Sequence, residues 1–474
     1  MKNRAPLGDQ HELVVVGAGP AGLAAATEAS ALGLETVLLD EQASPGGQIF
    51  RGIETTPLSD PAVLGARYWR GRRLIEAFSA SGARYLAGAA VWQIADGPEI
   101  GFSQAGVART IRARRVILAT GALERPFPIP GWTLPGVMAA GAAQGLLKSA
   151  GMVPEGRVVL AGTGPLIWLL AAQLIRAGGR IAALLDTTPR RNRFAALGSL
   201  PAFLASPDGA EGLRLLRTVR RAVPVMHGVI RLAAHGTDRL TEVLFQRSGA
   251  AEERIAADVL ILQQGVAPDL NLAAAARCEL AWNDAQLAFA PVTDLFGASS
   301  VKGIAIAGDA AGILGAEAAI ERGRLAALDA ACRLGRISRQ DRDRRAAPAL
   351  KALTRNTRGR RFLEALFRPA QCFRAPEGET IVCRCEEVTA REVRAAARLG
   401  CPGPNQLKAF LRAGMGPCQG RYCGLTVSAL LAEAHHARMG DIGYFRIRPP
   451  VKPLTLAELS SLPITEAAMR AVER

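Results

Sequence analysis

A chain of 474 residues with 49% hydrophobic side chains is long enough for two or three domains, each with its own core, and reads as a soluble globular protein. Its 58 Lys and Arg against 42 Asp and Glu leave a net charge of +16, nearly all of it arginine, a bias that a GC-rich coding sequence would also produce. Much of the excess is local: Arg333 to Arg374 holds 13 basic residues against Asp341, Asp343 and Glu364. A solvated helical face or a docking surface for an acidic partner accounts for such a run; no nucleic-acid-binding motif accompanies it, so nucleic acid is set aside. The opening MKNRAPLGDQHEL lacks the apolar core of a secretory signal, and the apolar stretch Pro165 to Ile175 is too short to cross a bilayer. A cytoplasmic location without a membrane span is therefore expected. In that compartment eight cysteines suit free thiols or metal ligands better than a disulfide framework.

Leu13 to Asp40 predicts a strand, a turn through Gly17, Gly19 and Gly22, an Ala-rich helix and a second strand ending in an acid. Such a βαβ unit binds a dinucleotide. Gly17 allows the tight turn, Gly19 lets the backbone approach a pyrophosphate, and Gly22 lets the helix lie close to the sheet. Pro20 and Ala21 open that helix, while Asp40 and the adjacent Glu41 stand where ribose hydroxyls are bound. The turn Gly46-Gly47-Gln48 offers backbone amides and an amide side chain to a flavin, or is a surface turn. Residues 60 to 85 read as helical and basic. Strand-like pieces follow at Gly88 to Ile94, which includes Val91 as a cofactor contact, and at Thr110 to Thr120, which runs into Thr120-Gly121 and a Pro-rich crossing.

After a helix at Ala139 to Ala150, a second nucleotide-like unit begins at Arg157, with Gly162 and Gly164 in its turn and Asp186 ending its second strand. The third small position is taken by Ile167, followed by Trp168, so the helix must shift or stand away from the sheet. NAD or another adenine nucleotide is a candidate ligand there. Residues 190 to 260 read as strand and helix fragments with basic loops, and Leu260 to Leu272 as the exit from an inserted domain. Val301 to Arg324 is a strand, then Gly308-Asp309, then a helix. An acid at that strand end binds a polyol hydroxyl while the helix start faces an electron-rich ring.

Near the C-terminus, Cys383 and Cys385 are two apart, so an extended backbone puts both sulfurs on one side. Cys418 and Cys423 enclose a second pair, surrounded by Gly414, Gly416, Gly420 and Gly424, which turn backbone N–H groups toward thiolates. Two helical patterns, Thr389 to Leu399 and Asn405 to Arg412, lie between the pairs. Four thiolates suit either zinc or an iron-sulfur cluster. Cys401 reads as packing, and Cys278, Cys332 and Cys372 as buried thiols. His435 and His436 read as polar surface residues on a helix. The Pro-rich stretch from Gly443 lies along the body or along a partner.

GAGPAG at Gly17 to Gly22, ATG at Ala119 to Gly121, GTGPLI at Gly162 to Ile167 and Gly308-Asp309 resemble the flavoproteins related to glutathione reductase, over about residues 11 to 330. The resemblance implies an α/β fold with two Rossmann-like domains. Residues 1–121 and 291–332 would bind FAD, with Asp309 on the ribitol, and 122–290 would be the inserted NAD-like domain. No cysteine precedes Cys278, so the redox CxxC of disulfide reductases is missing.

The spacing of Cys383, Cys385, Cys418 and Cys423 resembles the bacterioferritin-associated-ferredoxin type of [2Fe-2S] domain, at 380–440. It would follow a basic linker, 333–379, and precede a docking tail, 441–474. The combination is similar to the alpha subunits of heteromeric amino-acid dehydrogenases, among them opine oxidases, proline and hydroxyproline dehydrogenases and the B component of hydrogen cyanide synthase. LPGVMAAGAAQGLLKSAG at Leu134 to Gly151 and RPPVKPLTLAEL at Arg448 to Leu459 also look like that group.

The resemblance implies oxidation of an amino acid or opine in an FAD-containing beta subunit of the sarcosine-oxidase-beta type, sometimes with a small ferredoxin-like gamma subunit. Electrons would be relayed through this chain's FAD and cluster to an acceptor. Hydrogen cyanide synthesis from glycine and a stand-alone NAD(P)H-dependent reductase are the alternatives. No Ser/His/Asp or paired-carboxylate arrangement marks a catalytic acid or base.

Overall fold

The computed structural model describes residues 8–463. The leader reading of residues 1–7 and the end of the tail from 464 fall outside the described residues. β1 (Gln10–Val16) and β2 (Thr36–Asp40) flank the helix Pro20–Ala31, and their apolar residues are buried because a parallel sheet is covered on both faces. β3 (Arg84–Ala87) extends the sheet beyond β2, while β4 (Ala90–Ala95) and β5 (Glu99–Gln104) form an antiparallel pair on the other flank. The long β6 (Val107–Leu118) joins the two arrangements, antiparallel to β5 and parallel to β1.

The chain then leaves through β7 (Ala122–Glu124). β8 (Val137–Ala139), β9 (Val158–Thr163), β10 (Ile181–Asp186) and β11 (Val225–His227) belong to a second, parallel sheet. An antiparallel sheet of β12 (Val229–His235), β13 (Glu242–Arg247) and β14 (Glu252–Ala256) is inserted before β15 (Val259–Gln264) completes the order β11-β10-β9-β15-β8. β16 (Val266–Pro268) pairs antiparallel with β7, so the excursion leaves and returns through one two-stranded hinge. After the hairpin of β17 (Leu280–Asn283) and β18 (Ala288–Pro291), β19 (Ile304–Ile306) pairs with β6 as the seventh strand of the first sheet. The helix Ala316–Arg333 then packs across Pro20–Ala31, with Gly323 placed where a Cβ would strike the Ala21 carbonyl.

The basic segment read from sequence as a linker is largely helical, at Arg339–Thr357 and Arg360–Leu366. Pro348 lies inside the first of these helices, where a proline costs about 3 kcal/mol. Packing of Ala346 and Ala349 against Leu325 and Leu328 holds the helix together across it. Residues 190–222, expected as fragments, include a 16-residue helix, Pro207–Ala222, capped by Ser206.

The C-terminal module has a short pair, β20 (Ile381–Cys383) and β21 (Val388–Thr389), and three helices, Ala390–Arg398, Pro404–Leu411 and Gly424–Ala434. It shares one apolar core with the first sheet, in which Val14, Val91 and Phe102 are continuous with Val382, Val427 and Phe445. The chain beyond it lies along the body: Val451 N–H donates to the Trp92 carbonyl at 2.9 Å, and the Ser461 hydroxyl accepts from Ala108 N–H at 2.8 Å. Among the described residues no helix is long and apolar enough to cross a membrane.

Candidate cofactor sites and the four-cysteine module

At the first βαβ turn, Gly17 has φ +101°, and a Cβ there would press on the Ala119 carbonyl; a Cβ on Gly22 would overlap the Gly17 carbonyl. The turn, the helix and the end of β6 are thus in backbone contact, which only glycine permits. Gly47, at φ +59°, meets Gly19, and Gly46 N–H donates to the Ala18 carbonyl at 2.8 Å. The two glycine turns close on one another at the N-terminus of Pro20–Ala31, leaving backbone amides rather than side chains to face a phosphate.

Asp40 is buried, and its carboxylate accepts from Ala18 N–H and from Gln42 N–H, the latter at 2.7 Å. Burial pushes its pKa up and these two N–H groups oppose the rise. Asp40 therefore locks the turn, and Glu41, half exposed and ion-paired with Lys452 of the C-terminal tail, has the freer carboxylate. Val91 is brought to this end of β2 because Ala89 N–H donates to the Asp40 carbonyl at 2.8 Å.

Thr120 and Gly121 follow β6, where the Thr120 hydroxyl donates to the Asp269 carbonyl and Asp269 N–H to the Gly121 carbonyl. Gly308 packs on Ala21, and Asp309 accepts from Leu314 and Gly315 N–H at 2.9 and 3.0 Å, so this acid shapes the turn before the helix Ala316–Arg333. Arg322 secures the same turn through the Gly308 and Gly312 carbonyls.

Several residues here escaped the sequence reading. Lys148, buried in the helix Ala140–Ala150, donates to the Gln48 and Ile49 carbonyls and to Gln144, each at 3.0 Å, and so holds the Gly47-Gln48 turn from beneath. Burial and then the Arg51 charge push its pKa down to about 7. Glu124, on the hinge strand β7, accepts from Gly141 N–H at 2.8 Å and Ala140 N–H at 3.1 Å at the start of that helix. Burial lifts its carboxyl to about 7 against those two bonds. It lines a cleft with Asn271, Phe289, Arg421 and Tyr444, where body and C-terminal module meet. The only sequence signals were a charge in an otherwise apolar helix and an acid before a Pro-rich crossing.

In the second unit Gly162 and Gly164 keep their turn, and a Cβ on Gly162 would strike the Gln263 carbonyl. Ile167 is fully buried in the core with Leu160, Leu170 and Leu184, so the bulk is absorbed by packing and the helix Pro165–Arg176 still covers the sheet. Asp186 accepts from Thr188 N–H at 3.0 Å and pairs with His227 at 2.7 Å, an engagement that competes with a ribose.

The four cysteines Cys383, Cys385, Cys418 and Cys423 meet as two pairs, Cys383 with Cys423 and Cys385 with Cys418, all four within electrostatic reach. The hydrogen bond from Cys423 holds the Cys383 thiol down to about 6 despite its burial, with help from the N–H groups of Gly414, Glu386 and Cys385. Cys383 is thus the thiolate of its pair, the form a metal requires. Zinc asks four thiolates to form one tetrahedron. Two facing pairs with all four sulfurs in mutual electrostatic reach also suit four cysteines shared between two irons.

Gly414 supplies its N–H as expected, but the surrounding glycines also serve packing. A Cβ on Gly414 or Gly420 would enter the Phe445 ring, one on Gly424 the Tyr444 ring, and one on Gly416 would strike Cys385. The module is tied to the body by Asn271 to the Gln419 carbonyl at 3.0 Å and by Trp132 to the Ile381 carbonyl at 2.8 Å. Arg421, between the second pair of cysteines, donates to the Val451 carbonyl at 2.8 Å. Cys401 is buried packing, as expected, and Cys278 is buried, but Cys332 is only half-buried and Cys372 is exposed, because the four-residue helix Gln371–Arg374 buries Phe373 instead. His435 follows its helix and bonds the Cys401 carbonyl at 2.8 Å.

Two nucleotide-type units with a thiolate module docked on the first define a flavoprotein that also holds an iron-sulfur centre. Residues 11–332 match the family model for pyridine nucleotide-disulphide oxidoreductases, and residues 381–433 that for the BFD-like [2Fe-2S] binding domain. The A subunit of opine oxidase from Agrobacterium tumefaciens is 48% identical, over 98% of this chain and 94% of that protein. Hydrogen cyanide synthase subunit HcnB of Pseudomonas aeruginosa is 34% identical, over 95% and 98%. L-proline dehydrogenase from P. horikoshii shares the fold, with a TM-score of 0.70 at 19% identity, covering 95% of this chain and 79% of that one. The chain belongs to the pyridine nucleotide-disulphide oxidoreductase family and, within it, groups with the opine oxidase A subunits. It is an oxidoreductase with FAD and [2Fe-2S] as its cofactors.

Proposed function

We propose that this chain is the alpha subunit of a heteromeric opine or amino-acid dehydrogenase and relays electrons released by C–N bond oxidation. The single observation that carries this reading is the docking of the four-cysteine module between the two nucleotide units, on the first through a shared core and on the inserted one through Asn271 and Trp132. FAD would be held by Gly17, Gly19, Pro20, Ala21, Gly22, Glu41, Gly47, Gln48, Val91, Thr120, Gly121, Gly308 and Asp309, with Asp40 bracing the turn. The cluster would be held by Cys383, Cys385, Cys418 and Cys423. When bound, a flavin takes two electrons as hydride and a [2Fe-2S] cluster passes them on one at a time. The chain's own residues position these groups: Lys148 fixes the Gly47-Gln48 turn, the glycine turns present N–H groups, and Phe445 and Tyr444 wall off the thiolates.

The proposed domain division is 1–121 with 291–332, 122–290, 333–379, 380–440 and 441–474. Substrate oxidation falls to an FAD-containing beta subunit of the sarcosine-oxidase-beta type, with a small gamma subunit in some assemblies. The higher identity to opine oxidase than to the cyanide synthase component favours an opine substrate over glycine. The complex co-purified after expression with its neighbouring genes should oxidise octopine or nopaline with reduction of a dye acceptor. Turnover of none of octopine, nopaline, proline, hydroxyproline or glycine would refute the proposal.

A further inference from the structure

The helical excursion between β10 and β11 carries the two most exposed large apolar side chains of the second unit. Phe194 is 76% exposed, Leu197 57% and Leu204 50%, on three short consecutive helical segments that pack against the helix Pro207–Ala222, in which Leu213 is exposed, and against the helix Arg360–Leu366. One such residue is ordinary, but a contiguous group marks an interaction site. The basic segment after residue 350 is folded against this excursion. Phe203 stacks on Phe362 with ring centres 4.4 Å apart, and Asn192 donates to the Leu366 and Arg368 carbonyls at 3.0 and 2.8 Å.

Two arginine-rich stretches far apart in sequence therefore surround one apolar patch. Between Arg190 and Arg221 there are seven arginines and two acids, and between Lys351 and Arg368 six basic residues and one acid. Each of the three acids is already engaged: Asp208 with Arg67 and Glu211 with Arg214, both at 2.6 Å, and Glu364 with Arg360 at 3.4 Å. Among the described residues, Arg193, Arg217, Arg355, Arg358 and Arg361 are exposed with no carboxylate opposite them.

We infer that Phe194, Leu197 and Leu204, ringed by Arg193, Arg358 and Arg361, dock the substrate-oxidising partner subunit through an apolar plug with an Asp/Glu rim. The inference rests on the heteromeric reading given above. An apolar centre with an arginine rim is the usual anatomy of a protein interface. The segments exposing it, Arg190–Ala196 and Leu200–Leu204, are joined through a 3-10 turn, Leu197–Ser199, and this change of winding with Pro201 just after it breaks the α-helical face that a lipid interface would need as one amphipathic helix. The arginine rim would steer an acidic partner, so association should weaken as salt screens it.

The test uses the full chain, loaded with FAD and iron, co-expressed with the substrate-oxidising subunit, with native mass and partner Kd as readouts. Phe194→Ser with Leu197→Ser, and separately Arg193→Glu with Arg361→Glu, should each weaken partner binding at least tenfold. Flavin content, iron content and thermal midpoint of the isolated chain should stay at wild-type values, and the charge variant should lose the salt dependence. Wild-type affinity in both variants overturns the inference. So does binding of phosphatidylglycerol vesicles that depends on these residues while the partner stays bound. If the wild-type chain itself recovers no partner, the heteromeric reading fails and the inference falls with it.

Discussion

Glu124 offers a test in which protonation and structure are tied together. Its carboxyl, ordinarily near 4.5, is held at about 7 by burial, although Gly141 and Ala140 donate to it. Unfolded chain therefore ionises at Glu124 from about pH 4.5, while folded chain keeps the proton until about pH 7. Folding is favoured by this group below the lower value, and the benefit is lost as pH rises toward 7. The difference corresponds to about 3 kcal/mol.

Glu124→Gln does not titrate, but its NH2 group faces one of the two backbone donors, a mismatch of about 1–3 kcal/mol. The variant should be less stable than wild type at pH 5 and should match or exceed it at pH 8. The thermal midpoints of the two proteins, followed by calorimetry from pH 5 to 8, should cross or converge. The infrared band of a protonated carboxyl, present at pH 6 in wild type and absent in the variant, gives an independent readout. Midpoints that run parallel across the range would refute the assignment of a buried, proton-holding Glu124.

Gly22→Ala places a methyl group on the Gly17 carbonyl, and relief of that overlap at about 1–3 kcal/mol should weaken FAD binding roughly ten- to a hundredfold, read from flavin absorbance per chain. Asp40→Asn turns an NH2 toward Ala18 or Gln42 N–H; it should cost about 1–3 kcal/mol and lower the thermal midpoint, whereas Glu41→Ala should weaken FAD with less effect on the midpoint. Cys383→Ser should abolish iron and acid-labile sulfide while flavin stays bound, and Cys401→Ser should retain both; iron retained in the first variant would remove Cys383 from the ligand set. Lys148→Met leaves the Gln48 and Ile49 carbonyls without their donor, and flavin dissociation should quicken by about tenfold, as about 1–2 kcal/mol of lost anchoring implies.

Both βαβ units and the cluster of four cysteines were legible in the sequence because their signals are local. A glycine at φ +101° and an acid ending a buried strand each state their geometry within a few residues. The extended chain expected through Cys383 and Cys385 is not found: β20 ends at Cys383 and Cys385 lies in the turn that follows, so each faces a sulfur of the later pair. β3 and β5 were missed, being only four and six residues long with weak alternation. The segment around Pro348 was misread because its helix is held by Leu325 and Leu328, which precede it by about twenty residues and are invisible to a local pattern.

By itself the sequence determined the nucleotide turns, the missing CxxC, the clustering of four cysteines near the C-terminus and the family. Tertiary structure decided what each polar group does. It committed Asp40 to its own turn and left Glu41 freer, brought Lys148 beneath the Gly47-Gln48 turn, paired the cysteines two by two, and gathered two arginine-rich stretches around Phe194. The physical reason is that backbone conformation is set by neighbours along the chain, whereas burial, hydrogen-bond partners and charge environment are set by neighbours in space.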